Sequence, residues 1–298
     1  MRKVSRFAPS PTGPLHFGSL VCAFISYVIA KQDGADWLVR IEDLDEQRCK
    51  SEYVNSILTT LESHHLLWDG EIIYQSKRSN LYLEYINALR EDNLLYGCSC
   101  SRKEIKLRSS FYDGFCRNKH LPLYGNIVRL KNDDCATNFY DQHLGHAKVD
   151  SYLTLEDPVL RRADGQFTYN LAVIVDDIEQ SITQIARGSD LFELTPLHIE
   201  LFQHFNYKSP EFFHLPLAVH QLGTKYSKQA YSPPISNKNV MDNLKSCVSF
   251  MGGKPDEMSE FNNVDELIEW TISNWNRQML PKVREIIVSQ TNGLYFAQ

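Results

Sequence analysis

Residues 4–43 read VSRFAPSPTGPLHFGSLVCAFISYVIAKQDGADWLVRIED, and they decide the fold. Val4 to Ala8 is short and apolar-rich, and it runs into Pro9-Ser10-Pro11-Thr12-Gly13-Pro14. A stretch that dense in proline and glycine is a structured turn, which neither a strand nor a helix can continue through. From Gly18 to Lys31 the apolar residues Leu20, Val21, Phe24, Ile25, Val28 and Ile29 recur at helical spacing, and Asp33-Gly34 ends the segment. Trp37-Leu38-Val39-Arg40-Ile41 follows as a nearly continuous apolar run with Glu42-Asp43 at its carboxyl end. That pattern predicts a strand buried on both faces. Strand, turn, helix, strand is a βαβ unit. It predicts an α/β, doubly wound parallel sheet whose ligands sit beyond the carboxyl ends of the strands.

Outward from this unit, Glu46 to Leu61 and Arg78 to Glu91 read as further helices. From Leu95 to about Leu153 the rhythm is lost, and this span holds four of the seven cysteines; it reads as an insertion. Rhythm returns with Val159 to Arg162, a turn at Asp164-Gly165 and an apolar run from Leu171 to Val175. A strand over Ser181 to Ala186, a helix over Pro196 to Phe205 and a strand near His214 to Val219 follow. Beyond Ser232-Pro233-Pro234 the chain reads as helical to its end, with helices over Met241–Met251, Val264–Trp275 and Val283–Val288. The predicted organisation is a main α/β domain from residues 1–94 and 154–229, an insertion over 95–153, and a helical region over 230–298.

The chain has 298 residues, 43% apolar and 23% charged, enough for a substantial core. It has no apolar run of about 18 residues and no signal-peptide core at its start, so it is expected in the cytoplasm, away from membranes. Seven cysteines in such a chain read as buried thiols or metal ligands. A net charge of −6 gives nucleic-acid binding no general support, although Arg102, Lys103, Lys106 and Arg108 form a local basic patch. Nothing signals an oligomer, and a monomer is the default.

The turn before the first helix delivers His16 and Gly18 to the helix start. Backbone N–H groups and the positive end of the helix dipole attract phosphate there, and glycine lets a ligand approach closely. His16 could donate a hydrogen bond to charge developing in phosphoryl chemistry. A second constellation is Cys98-Ser99-Cys100 with Tyr112 and Cys116. Three thiols suit zinc, and spacing leaves Tyr112, Asp113, His120, Cys135 or water as the fourth ligand. Cys22 and Cys247 lie in apolar runs and read as core, while Cys49 suggests no role.

Arg6 to Ser19 resembles the "HIGH" signature of glutamyl-tRNA synthetases. Arg40-Ile41-Glu42-Asp43-Leu44-Asp45-Glu46-Gln47-Arg48 resembles the second block of that family, and Lys225-Tyr226-Ser227-Lys228-Gln229 resembles its "KMSKS" loop. The three blocks stand in the family's order from Arg6 to Gln229. Two departures occur: Ser19 replaces the second histidine of "HIGH", and Gln229 replaces the last serine of the loop. The resemblance implies a class I synthetase, Rossmann-like, with glutamate held by Arg6, Ala8, Ser10, Glu42, Tyr169 and Arg187. It implies ATP contacts from Pro9, His16, Gly18 and Lys228, with His16, Lys225 and Lys228 stabilising phosphate charge. Arginine forks match carboxylates, and Glu42 would receive the ammonium group. Magnesium is expected with ATP, with no carboxylate assigned to it.

Only 69 residues follow Gln229, fewer than the ~100 of a typical further domain. In this the sequence resembles truncated bacterial paralogues of glutamyl-tRNA synthetase, which glutamylate queuosine, the modified wobble base of tRNA(Asp). Those paralogues imply a structural zinc held by Cys98, Cys100, Cys116 and Tyr112. The acceptor rests on resemblance alone. Rival readings are a shortened synthetase charging the 3′ end of tRNA(Glu), a non-catalytic tRNA-binding paralogue, and transfer of glutamate to a non-RNA acceptor.

Overall fold

The structure, a computed structural model, describes residues 2–133, 136–149, 154, 156–225, 233–258, 260–291 and 294–297. The first part of the chain forms β1 (Val4–Phe7), α1 (Phe17–Gln32), β2 (Asp36–Ile41), α2 (Ser51–Ser63), β3 (Ile73–Tyr74) and α3 (Ser79–Glu91). Next come β4 (Leu95–Cys98), α4 (Arg102–Arg108), β5 (Ile127–Leu130), β6 (Asn138–Asp141), β7 (Gly145–Lys148) and β8 (Val159–Arg161). These lead into α5 (Tyr169–Glu179), β9 (Gln184–Gly188), α6 (Thr195–His204), β10 (Glu211–Leu215), β11 (Leu217–Gln221) and β12 (Thr224–Lys225). The remainder is α7 (Val240–Phe250), α8 (Pro255–Met258), α9 (Val264–Asn274), β13 (Glu285–Thr291) and β14 (Leu294–Ala297).

The predicted βαβ unit is present. β1 pairs parallel with β2, Val4 opposite Asp36, and β2 pairs parallel with β3. β9 pairs parallel with β10, and the Thr183 N–H donates to Val4 O at 2.9 Å, which lays β1 beside β9. Helix α1 is apolar on nearly every face, as a helix buried all round must be. It packs with α7 and α9 into one core that includes Phe17, Phe24, Val248 and Leu267. On the other side α3, α5 and α6 build a second core around Tyr82, Leu171 and Phe202. Helices cover both faces, so the sheet is doubly wound.

Several boundaries differ from the sequence expectation. Helix α2 starts at Ser51, not Glu46, because Asp45 forms a turn: its carboxylate accepts from the Arg48 N–H at 3.2 Å and its carbonyl from Cys49 at 2.8 Å. The strand expected near His214–Val219 is two strands, broken at Pro216, which has no N–H to donate. Strand β6 lies within the expected insertion yet pairs parallel with β10, Phe212 opposite Asp141.

The largest correction concerns the C-terminal region, which was expected to be helical throughout. Helices α7, α8 and α9 are there, but Glu285–Thr291 is a strand. It pairs parallel with β11, Leu217 opposite Glu285, and antiparallel with β14. Ile286-Ile287-Val288 is a β-branched run that favours a strand, and Asn292-Gly293 after it is a hairpin dipeptide.

Candidate active site

Two adjoining cavities, about 450 and 430 Å³, open beyond the carboxyl ends of β1 and β9. Phe7, Ser10, Cys22, Gly188 and Asp190 line both, so they form one continuous cleft. The first is walled by the turn before α1, including Pro9, His16 and Gly18. The second contains Arg6, Ala8, Glu42, Tyr169 and Arg187. All six residues expected around glutamate therefore face one cavity. Gly188 lets the chain pass closely: a Cβ there would stand 2.5 Å from Asp190 Oδ1 and 3.2 Å from Leu217 Cδ2.

The second cavity is an electrostatic pocket with its charges fixed from behind. Arg6 Nε donates to Asp177 Oδ1 at 3.0 Å and Nη2 to Oδ2 at 3.4 Å. Arg40 Nη2 stands 2.8 Å from the same Asp177 Oδ1, an ion pair without hydrogen-bond alignment. Asp177, on α5, thus joins the ends of β1 and β2 through two buried arginines. The two arginines hold its carboxyl below the ordinary range despite burial. Glu42 is opposite in behaviour: burial pushes its carboxyl up to about 7, against the pull of Arg40 and Arg6. Burial likewise pushes the Tyr169 phenol up to about 12.

Arg187 is 4% exposed, and no carboxylate pairs with it among the described residues. Its partners are neutral. Nε donates to His214 Nε2 at 3.0 Å, Nη1 meets His198 Nδ1 at 2.9 Å, and Nη2 donates to Thr195 Oγ1 at 2.9 Å. Burial and the adjacent guanidinium keep both imidazoles uncharged, with His198 well below its ordinary value and His214 at about 4. A buried cation without an anion is costly unless a ligand supplies one.

His16 is the N-cap of α1: its Nδ1 accepts from the Ser19 N–H at 3.3 Å. The capping role leaves a neutral ring with its proton on Nε2. No acidic residue occupies the first turn of α1, so the dipole end stays positive. Lys225 closes strand β12, and Lys228 lies outside the described residues. Beyond that segment, Pro234 bridges to His16 and the Ile235 N–H donates to Leu15 O at 2.9 Å.

The thiols of Cys98, Cys100 and Cys116 lie within 4.8 Å of one another, all buried. The Tyr112 hydroxyl, 1% exposed, accepts from the Cys116 N–H at 3.0 Å within the same cluster. Asp113 instead pairs with Arg108 at 3.1 Å, and His120 is exposed; Cys135 lies outside the described residues. Of the candidate fourth ligands described, only Tyr112 sits among the thiols. Cys247 is core, as expected, while Cys22 lines both cavities.

Residues 3–114 and 115–282 match the family of class I tRNA synthetases (E and Q), catalytic domain. The chain belongs to that family. Glutamyl-Q tRNA(Asp) synthetase from Photobacterium profundum is 42% identical over 97% of this chain and 93% of its own. Its counterpart from Idiomarina loihiensis is 42% identical over 91% and 95%. A glutamate tRNA ligase from Elizabethkingia meningosepticum, solved in complex with its amino acid, matches with a TM-score of 0.78 at 25% identity. That match covers 95% of this chain and 66% of the ligase.

In this class I synthetase, sequence reasoning missed the supporting residues Arg40, Asp177, Asp141, His198 and His214. Arg40 lies inside the strand predicted to be buried on both faces, and a buried arginine there was itself a signal that carboxylates must meet it. Asp176-Asp177 at the end of an apolar stretch was a visible signal, since adjacent carboxylates within a buried helix need cationic partners. Asp141 gave no signal, because the link from β6 to β10 spans 73 positions.

Proposed function

We propose that this synthetase activates L-glutamate with ATP and transfers the glutamyl group to the queuosine of tRNA(Asp). The observation that carries the first step is Arg187, a buried guanidinium with neutral partners, in one cavity with the carboxylate of Glu42. Arg187 and Arg6 would receive the two carboxylates of glutamate, Tyr169 would add a phenolic hydrogen bond, and Glu42 would take the ammonium group. Ala8 and Ser10 would line the glutamate pocket, and Ser10 also faces the adjoining cavity. There Pro9, Gly18 and His16 would face ATP, and Lys225 and Lys228 would bind its phosphates.

An oxygen of the glutamate α-carboxylate attacks the α-phosphorus of ATP, and the bond to pyrophosphate breaks. The Nε2–H of His16 and the lysines balance the negative charge that moves onto the phosphates. Mg2+ accompanies ATP as its counter-ion. In the second step a hydroxyl of the acceptor attacks the acyl carbon, AMP leaves, and its phosphate takes the proton. Alignment of the reactants accounts for much of the rate.

Cys98, Cys100, Cys116 and Tyr112 would hold a structural Zn2+, which supplies a crosslink to a region poor in apolar side chains. Burial pushes the Cys100 thiol up to about 11 and the Tyr112 phenol above its ordinary value, so their loss of protons would depend on the cation. Helix α4, exposed and carrying Arg102, Lys103 and Lys106, lies beside that cluster and would meet RNA phosphates. The queuosine acceptor is supported by relatives with that name at about 42% identity. Among the described residues no helix is long and apolar enough to cross a membrane. A cytoplasmic monomer is the proposed working form.

The test is transfer of radiolabelled glutamate to tRNA(Asp) carrying queuosine, with nuclease mapping of the label. Label should reach the wobble nucleoside and be absent from the same tRNA with guanosine there. Label on the 3′-terminal adenosine of tRNA(Glu) would replace this reading with that of a shortened glutamyl-tRNA synthetase.

A further inference from the structure

Behind Arg187 stands a second layer that the glutamate contacts do not include. His214 Nδ1 lies 2.7 Å from Asp141 Oδ2, both side chains fully buried. The ring's other nitrogen, Nε2, accepts from Arg187 Nε at 3.0 Å. These two contacts are mutually dependent. A guanidinium N–H can only donate, so Nε2 must be the bare nitrogen, and the single proton of a neutral ring must be on Nδ1. Asp141 is the acceptor that holds it there. Had a carboxylate touched Arg187 directly, it would have neutralised the charge intended for a ligand. The imidazole fixes the guanidinium's orientation and adds no anion.

We propose that Asp141 and His214 are positioning residues for Arg187, fixing its guanidinium through the Nδ1–H tautomer of His214; this rests on the reading of Arg187 as a glutamate contact. Asp141 also has a backbone duty. Oδ1 accepts from the His143 and Leu144 N–H groups at 3.0 and 2.8 Å, while Oδ2 takes the imidazole at 2.7 Å and the His214 backbone N–H at 3.1 Å. In Asp141→Asn the amide can keep an oxygen in the first place only by putting its NH2 in the second. That NH2 would face the His214 backbone N–H, turn Nδ1 into an acceptor and move the ring proton to Nε2, against Arg187 Nε–H, so the variant's fold is checked alongside its kinetics. An aspartate-to-asparagine change that inverts a histidine tautomer while preserving shape is known chemistry in catalytic triads.

The experiment combines kinetics with spectroscopy. Glutamate-dependent ATP–pyrophosphate exchange is measured for wild type, Asp141→Asn, His214→Gln and His214→Leu, and histidine 15N shifts give the tautomer of His214 in wild type. Wild type should show Nδ1–H. Asp141→Asn should raise the glutamate KM about tenfold or more with kcat changed by no more than about threefold. His214→Gln, whose amide oxygen can still accept from Arg187, should keep a lower KM than His214→Leu. If Asp141→Asn does not fold, the wild-type tautomer and the two His214 variants decide. An Nε2–H tautomer in wild type, or equal KM values for the Gln and Leu variants, overturns the inference. Active wild type with an unchanged KM in folded Asp141→Asn overturns it alone. Wild type with no glutamate-dependent exchange overturns the proposed function, and this inference with it.

Discussion

Arg40 Nη2 stands 3.9 Å from Glu42 Oε1, two residues apart where β2 runs out into the cleft. The arginine is too far away to form a tight pair, so burial wins and the Glu42 carboxyl titrates near 7. A ligand ammonium group needs the ionised form. As pH falls through 7, Glu42 takes up a proton and loses that ability, while glutamate's own groups do not titrate between pH 6 and 8. The glutamate KM is therefore expected to be flat above pH 8 and to rise about tenfold per unit well below 7. A KM independent of pH from 6 to 8 would remove Glu42 from the ammonium site.

Folding stability should move the other way. An acid whose folded pKa is raised favours folding when protonated, so Glu42 stabilises below its unfolded value of about 4.5, and that contribution is lost as pH rises through about 7. Glu42→Gln should therefore be closest to wild type in Tm at low pH and gain on it toward pH 8, while losing glutamate activation. Thermal melts of both proteins across pH 5–8 check the slope.

Protein purified without chelator should carry one zinc per chain. Cys98→Ser, Cys100→Ser or Cys116→Ser should each release it, and Tyr112→Phe should weaken it less, because three thiolates remain. Elemental analysis reads the stoichiometry directly, and a metal-free wild type would refute the assignment.

Lys228→Ala should lower kcat for ATP–pyrophosphate exchange about 100-fold while leaving the glutamate KM within a fewfold, since its partner charge grows in the transition state. Arg187→Ala should show the reverse pattern, a raised KM with a smaller change in kcat. Steady-state kinetics with glutamate varied separates the two roles.

Gly188→Ala places a methyl 2.5 Å from Asp190 Oδ1 and 3.2 Å from Leu217 Cδ2, at the boundary of the two cavities. Overpacking of this kind costs about 1–3 kcal/mol. A fall in Tm of several degrees is expected, with loss of exchange activity even at temperatures where the variant is folded. Retained wild-type activity would show that Asp190 can move without harm to the site.

The βαβ unit was legible because its period changes from strand to helix and back within 40 residues, with Pro and Gly marking the turns. Arg6 and Glu42 were legible through motif blocks, Tyr169 and Arg187 only through the family resemblance those blocks carry, and the structure brings all four to one cavity. What escaped was non-local. Val283–Val288 was read as helical although its Ile286-Ile287-Val288 run is β-branched, because the partner that fixes it as a strand, β11, is some 68 positions away. Asp177 and Asp141 act from behind the pocket, where a residue's worth depends on what reaches it across the fold.

The wall of the cleft next to Gly188 is tied by Ser189, whose hydroxyl donates to Arg284 O at 2.6 Å, and by Leu217, whose N–H donates to the same carbonyl at 2.9 Å. Ser189 and Arg284 are 95 positions apart, and β1 waits 179 positions for the Thr183 that secures Val4. On the ribosome, the first strand of the pocket is thus made long before β9, and the tie at Arg284 follows 95 positions after Ser189. Such non-local closure is slow and exposes apolar surface meanwhile. A nascent chain therefore carries the signature residues of the first strand without a finished cleft until Arg284 has been made and has reached Ser189 and Leu217.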